Sequence, residues 1–160
     1  MPVSSSTTTT SKSNSRNPRI FFHFLQAGFA FARRDPAKSF INQLLKKEGR
    51  TPDTLRYIFC SDAYLLDINR RYLKHNTYTD IITFDLSEPG QAINAEIYIS
   101  VDRVRENASQ FKTTLRNELH RVMFHGALHL CGYRDKTLKE KELMRKMEDK
   151  YLRMYFKSGS

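Results

Sequence analysis

Two histidines and an aspartate in one short segment carry the strongest chemical signal in the sequence. His125 and His129 lie four residues apart in HGALHLCGYRD, and Asp135 follows Gly132 by three residues. Four residues on a helix correspond to a rotation of about 400°, so both imidazoles project from one face, one turn apart. Gly132 can take a positive φ and end the helix, which turns Asp135 back toward that face. We therefore predict that His125, His129 and Asp135 bind one metal ion.

The chemistry of these three side chains favours zinc in a catalytic site. Imidazole nitrogens and carboxylate oxygens bind zinc at roughly 2 Å. Three protein ligands leave a fourth position for water or substrate, which is the arrangement of catalytic rather than structural zinc sites. Cys131 is an alternative ligand, but it lies about 200° around the helix from His129 and so points away from the ligand face. We predict one zinc ion per chain.

The same spacing is similar to the HExxHxxGxxH pattern of zinc proteases. In those enzymes a glutamate follows the first histidine and activates the attacking water. Here Gly126 occupies that position. A zinc metallohydrolase of protease type therefore stays an alternative that lacks its general base.

Hydrophobic periodicity and turn residues predict four strands and five helices around the ligands. The strands are predicted at residues 19–25, 54–60, 80–86 and 95–100, and the helices at about 35–48, 62–73, 101–111, 115–130 and 137–155. Asp35 is the predicted N-cap of the first helix, and residues 29–32 are predicted to extend or pair with the first strand. A short connection through Pro89 makes the last two strands antiparallel. This order predicts an α/β (α+β) fold: one domain with a mixed four-stranded sheet packed with about five helices.

The charge of the chain indicates a polyanionic partner. There are 27 Lys+Arg against 17 Asp+Glu, a formal net charge of +10, and such an excess favours nucleic acid or an anionic surface. Residues 1–18 are rich in Ser and Thr and almost free of apolar side chains, so we predict a disordered tail. Residues 19–157 form the predicted domain.

The remaining composition points to a reducing cytoplasm and no membrane. Two cysteines, Cys60 and Cys131, cannot build a disulfide framework, and neither belongs to a CxxC pair. No apolar stretch reaches the roughly 20 residues of a transmembrane helix. The nearest stretch, residues 20–32, has the flanks of a signal peptide but is interrupted by His23 and Gln26.

Three segments of the chain resemble the YbeY family of bacterial metal-dependent endoribonucleases. The first is HGALHLCGY at 125–133, followed by Asp135 and by Met144 and Glu148. The second is NRRYLKHNTYTDIITF at 69–84, and the third is AEIYIS at 95–100. The resemblance covers residues from about 19 to 155. It implies helices around a mixed four-stranded sheet, with the metal in a cleft.

The chain departs from the family pattern at three positions. The family's third ligand is normally His, and Asp135 stands there, so this chain resembles a variant of the family. Arg134 replaces the Asp that usually precedes that ligand. Leu73 replaces the Arg that usually follows the tyrosine at 72, and Leu cannot bind a phosphate as a cation does.

The resemblance implies a single-strand-specific endoribonuclease of ribosomal RNA maturation, acting at the 16S 3′ end and in ribosome quality control. It also implies a ribosomal protein or a GTPase as a further partner. Basic residues beside Leu73, and one on the ligand helix, are the predicted RNA contacts: Arg70, Arg71, Lys74, His75 and Arg121. Glu118 lies seven residues before His125 on the same helix face and is predicted to orient a ligand. A non-catalytic ribosome-binding factor stays a further alternative.

Overall fold

In a computed structural model of the protein, residues 18–158 are described, so the predicted tail at 1–18 lies almost wholly outside the described residues. Four strands and five helices follow one another in the order β1 (Arg19–Phe24), α1 (Arg34–Lys47), β2 (Pro52–Cys60), α2 (Asp62–Tyr72), β3 (Ile81–Asp85), β4 (Ile93–Ser100), α3 (Val101–Gln110), α4 (Leu115–Leu130) and α5 (Leu138–Lys157). Within this part of the chain, no helix is both long and apolar enough to cross a membrane.

The four strands form one mixed sheet in the order β1-β2-β4-β3. β1, β2 and β4 run parallel, and β3 runs antiparallel to β4 along the edge. The central strand β2 is buried along almost its whole length because both of its faces are covered. The predicted fold class, a single α+β domain with a mixed four-stranded sheet and five helices, is confirmed.

Helices cover the two faces of the sheet unequally. The main core joins apolar residues of α1, α4 and α5 to one face of the sheet. A small second cluster on the other face packs Leu65 of α2 against Cys60 and Ile82. Cys60 is fully buried with a free thiol. The long apolar helix α4 therefore lies between the sheet and α5.

Two local predictions were wrong, both near the start of α1. Residues 29–32 form no strand, because Phe29 and Phe31 turn inward and pack their rings against Phe24 and Phe59. The helix begins at Arg34, so Asp35 lies in its first turn and is not the N-cap. Asp35 still faces the positive end of the helix dipole, where a carboxylate is stabilising.

Candidate metal centre

The ligand helix α4 is held unusually close to the sheet. A Cβ atom at Gly126 would lie 2.9 Å from Cδ1 of Ile81 and 3.0 Å from Cδ1 and Cγ2 of Ile97. These separations are too short for a side chain, so glycine permits the close approach of α4 to β3 and β4. Gly126 thus faces the sheet. Its neighbour His125 faces the cleft between α4, β3 and α5.

The end of α4 turns the chain back toward the histidines. The N–H of Tyr133 donates to the carbonyl of Leu128 at 3.1 Å, and the N–H of Gly132 donates to the carbonyl of His129 at 3.0 Å. This is the Schellman pair of hydrogen bonds, and Gly132 has the positive φ (95°) that it requires. The predicted glycine turn is confirmed, and it carries Asp135 to the ligand face.

The three predicted ligand atoms converge on one point. Nε2 of His125 lies 3.0 Å from Nε2 of His129 and 3.2 Å from Oδ2 of Asp135. Nε2 of His129 lies 3.4 Å from the same carboxylate oxygen. A tetrahedral ion with bonds of about 2.0–2.1 Å separates its ligand atoms by about 3.3–3.4 Å. The three side chains therefore form a candidate site for one metal ion.

Hydrogen bonds to the far side of each imidazole set its orientation. Nδ1 of His125 lies 2.7 Å from Oε2 of Glu148, and Nδ1 of His129 lies 2.9 Å from the carbonyl oxygen of Tyr133. Both partners are acceptors, so each neutral imidazole carries its proton on Nδ1 and presents a lone pair on Nε2. Two lone pairs 3.0 Å apart repel each other unless a cation, either a metal ion or a proton, lies between them. This is the arrangement that two metal-binding imidazoles adopt.

His125 contacts one end of a chain of ion pairs that runs from Glu148 through Arg121 to Asp149. The carboxylate of Glu148 also binds Arg121 at 3.1 Å, and Arg121 binds Asp149 at 2.7 Å. Burial by itself lowers the pKa of His125, but the hydrogen bond and charge of Glu148, helped by Asp135, outweigh it and raise that pKa. The protein therefore makes this ligand nitrogen more basic than a free imidazole.

The candidate centre opens into a cleft of about 1200 Å³ between β3, α3, α4 and α5. Asp80 and Glu118 are among the further carboxyl residues that line this cleft. Burial raises the pKa of both groups, and this effect is partly offset by His125 at Asp80 and by Arg121 at Glu118. Glu118, predicted to orient a ligand, lies in the cleft wall, whereas the carboxylate that contacts a ligand imidazole is Glu148.

The predicted RNA contacts fall in two places. Arg121 lines the cleft, but its guanidinium is engaged by Glu148 and Asp149. The other four basic residues lie at the end of α2, outside the cleft lining: Arg70, Arg71, Lys74 and His75. Arg71 pairs there with Asp67 at 3.1 Å. From this segment, Leu73 reaches the cleft wall.

Residue spacing did not predict that Glu148 contacts His125 or that Asp80 lines the cleft. Glu148 follows His125 by 23 residues on a different helix, so no helical spacing rule links the two. The available signals were the match of Glu148 and Asp80 to the family segments and the acidic position of Glu148 on the buried face of α5.

Fold and site together define a single α+β domain with a candidate mononuclear metal centre in an open cleft. A family model described as endoribonuclease YbeY matches residues 29–155. A relative from Cytophaga hutchinsonii, named endoribonuclease YbeY, is 50% identical over 130 residues, which cover 81% of this chain and 91% of the relative. One of the same name from Flavobacterium psychrophilum is 47% identical over 117 residues, 73% of this chain and 83% of its own.

A solved structure has a similar fold. The solution structure of TM1509 from Thermotoga maritima superposes with a TM-score of 0.61 at 27% identity, over 89% of this chain and 91% of that one. The chain belongs to the endoribonuclease YbeY family.

Proposed function

We propose that the protein is a metal-dependent endoribonuclease that cleaves single-stranded RNA during ribosomal RNA maturation, with His125, His129 and Asp135 as ligands of one zinc ion. The observation that carries the proposal is the convergence of three ligand atoms, 3.0–3.4 Å apart, at the wall of an open cleft. Family membership supports RNA as the substrate. The 16S 3′ end and faulty ribosomes are the proposed targets.

The donor set fits zinc and leaves room for a reacting group. Two imidazole nitrogens and one carboxylate oxygen match a catalytic zinc site with a fourth position open to the cleft. Bound there, the metal would polarise a water molecule or the scissile phosphate and lower the pKa of that water. An aspartate in place of a third histidine lowers the net charge of the site by one, which shifts its preference toward harder ions.

The chain's own residues orient the ligands and move the proton. Glu148 holds the proton of His125 on Nδ1, so Nε2 stays available as a ligand. The carboxyl groups of Asp80 and Glu118 lie in the same cleft, and burial raises the pKa of each, so their carboxylates are stronger bases than exposed ones. They are the proposed acceptors of the proton that the attacking water releases.

The metalloprotease alternative finds no support at Gly126. A glutamate there would project against Ile81 and Ile97 and not into the cleft. Restoring the protease pattern would therefore bury a charge between helix and sheet, which is strongly unfavourable.

The proposal includes a cellular location, binding partners and a division of the chain into tail and domain. We place the protein in the bacterial cytoplasm, with small-subunit ribosomal RNA and a ribosomal protein or GTPase as partners. Residues 19–157 form the proposed catalytic domain, and the tail at 1–18 is proposed to be dispensable. A chain beginning at residue 19 should retain its metal and its activity, and loss of either would contradict this division.

Metal content and RNA cleavage of the wild type beside His129→Ala test the function. One zinc per wild-type chain, lost in the variant together with cleavage of a single-stranded ribosomal RNA fragment, is the expected result. Equal cleavage by both proteins would refute the metal mechanism. RNA binding without cleavage would favour a ribosome-binding factor, and cleavage of casein would favour a metalloprotease.

A further inference from the structure

A second depression runs along the outer side of α5, next to the metal cleft. Its volume is about 460 Å³, and six side chains of α5 line it: Lys141, Glu142, Arg145, Lys146, Asp149 and Arg153. We call it the α5 groove. Lys141 and Arg145 line both the groove and the metal cleft, so the two depressions share a wall. The α5 groove therefore adjoins the metal cleft at Lys141 and Arg145.

The charge of the α5 groove is positive. Four of its six lining residues are cations and two are acids. One of the acids, Asp149, is paired with Arg121 at 2.7 Å, so its charge is already compensated. The groove therefore attracts an anion, in contrast to the carboxylate-rich floor of the cleft.

The cations at the shared wall are available to a ligand. Arg145 is 57% exposed, and its one ion pair among the described residues is a long contact of 3.9 Å to Glu148, a carboxylate that already binds Arg121 and His125. Among residues 18–158 the structure shows no ion pair for Lys141. Lys141 and Arg145 are four residues apart, so they lie on one helix face, one turn from each other. They form a two-cation rail at the rim of the cleft.

The opposite wall of the cleft carries an exposed aromatic ring. Phe111, at the end of α3, lines the cleft and is 56% exposed. An exposed ring beside a cationic rail is the combination with which proteins bind unpaired bases and their backbone. A duplex would hide its bases from this ring.

We propose that single-stranded RNA crosses the metal cleft with an unpaired base stacked on Phe111 and its backbone phosphates on Lys141 and Arg145, and then follows the α5 groove. This path rests on the proposed function and names the residues that deliver the strand to the metal. It differs from the sequence prediction, which placed the contacts at the end of α2 and at Arg121.

Binding of a short fluorescein-labelled single-stranded RNA, followed by anisotropy, tests the rail. All proteins carry His129→Ala, so that the probe stays intact. Replacing Lys141 and Arg145 together by Ala should weaken binding by about 10- to 30-fold, and should reduce the slope of log affinity against log salt by about 1.4, because each lost phosphate contact removes about 0.7. Lys139 and Lys157 are exposed cations of α5 outside both linings. Their double alanine variant is the matched control and should bind like the parent.

The stacking contact has its own variant pair. Phe111→Ala should weaken single-strand binding by about 5- to 160-fold, since one base stacked on an aromatic side chain contributes about 1–3 kcal/mol. Phe111→Tyr keeps the ring and should restore binding. Neither change should alter affinity for an RNA duplex.

The outcomes separate the path from the function. If the rail and control variants bind alike, or if the parent prefers duplex RNA, the path is refuted. If the wild-type protein, which retains His129, cleaves no RNA, while RNA binding by the His129→Ala parent still depends on Lys141 and Arg145, the endoribonuclease proposal fails and the path stands. In cleavage-competent protein that retains His129, replacing Lys141 and Arg145 by Ala should raise KM more than it lowers kcat, and the reverse would overturn a binding role.

Discussion

Glu148→Gln is the sharpest test of how the protein tunes its metal centre. The carboxylate of Glu148 contacts Nδ1 of His125 at 2.7 Å and Arg121 at 3.1 Å, and its side chain is only 7% exposed. Glutamine preserves the size and one acceptor but removes the charge. Loss of such an outer carboxylate typically lowers metal affinity 10- to 100-fold, or about 1.4–2.7 kcal/mol. Because glutamine still accepts one hydrogen bond, we expect the lower half of this range.

The assay is competition for zinc against a chromophoric chelator at fixed pH, with circular dichroism to confirm the fold. Asp149→Asn is the matched control, because Asp149 binds the same arginine but does not contact a ligand histidine. We expect its zinc affinity within about threefold of wild type. Equal affinities for wild type and Glu148→Gln would refute the reasoning. So would an equal loss in the two variants, since it would assign the effect to Arg121 and not to His125.

Three further predictions follow from the same geometry. In the metal-free protein the pKa of His125 is raised, so protonation of His125 stabilises the fold. This contribution is fully present below the unfolded pKa of about 6.5 and is lost as pH rises through the folded pKa. Urea titrations should show the free energy of unfolding falling over that pH range, and a flat profile would contradict the prediction. Zinc must displace the proton on Nε2 of protonated His125, so apparent zinc affinity should fall at least about tenfold per pH unit below the folded pKa of His125. Chelator competition measures this affinity, and an affinity that does not change with pH would exclude coordination through Nε2. Gly126→Leu should lower the free energy of unfolding by about 2–3 kcal/mol through overpacking against Ile97, whereas Gly126→Ala should lose less because alanine favours the helix by about 1 kcal/mol; equal unfolding midpoints would refute the close approach.

Local chemistry explains why the ligand set was predictable. The four-residue spacing places His125 and His129 on one helix face whatever that helix packs against. Gly132 ends the helix through hydrogen bonds within five residues, and the turn carries Asp135 to the same face. The capping box at Thr137, which starts α5, is equally local. Each of these features depends on a few consecutive residues.

The local rule failed where apolar packing competed with it. Residues 29–32 have the aromatic composition of a strand, yet Phe31 packs its ring on Phe59 and leaves the chain without a sheet partner. Asp35 has the side chain of an N-cap, yet the helix begins one residue earlier, at Arg34. At residues 29–32 tertiary contacts outweighed a weak local preference.

The sequence by itself determined the strand and helix order, the three candidate ligands and the turn that joins them, because periodicity and capping act over one or two helical turns. Tertiary structure alone decided which carboxylate supports His125, because the packing of α5 on α4 brings Glu148 there from 23 residues away. The same packing engages Arg121 in ion pairs and leaves Lys141 and Arg145 at the rim. Contacts between distant segments depend on how helices and sheet pack together, and that arrangement results from the whole core.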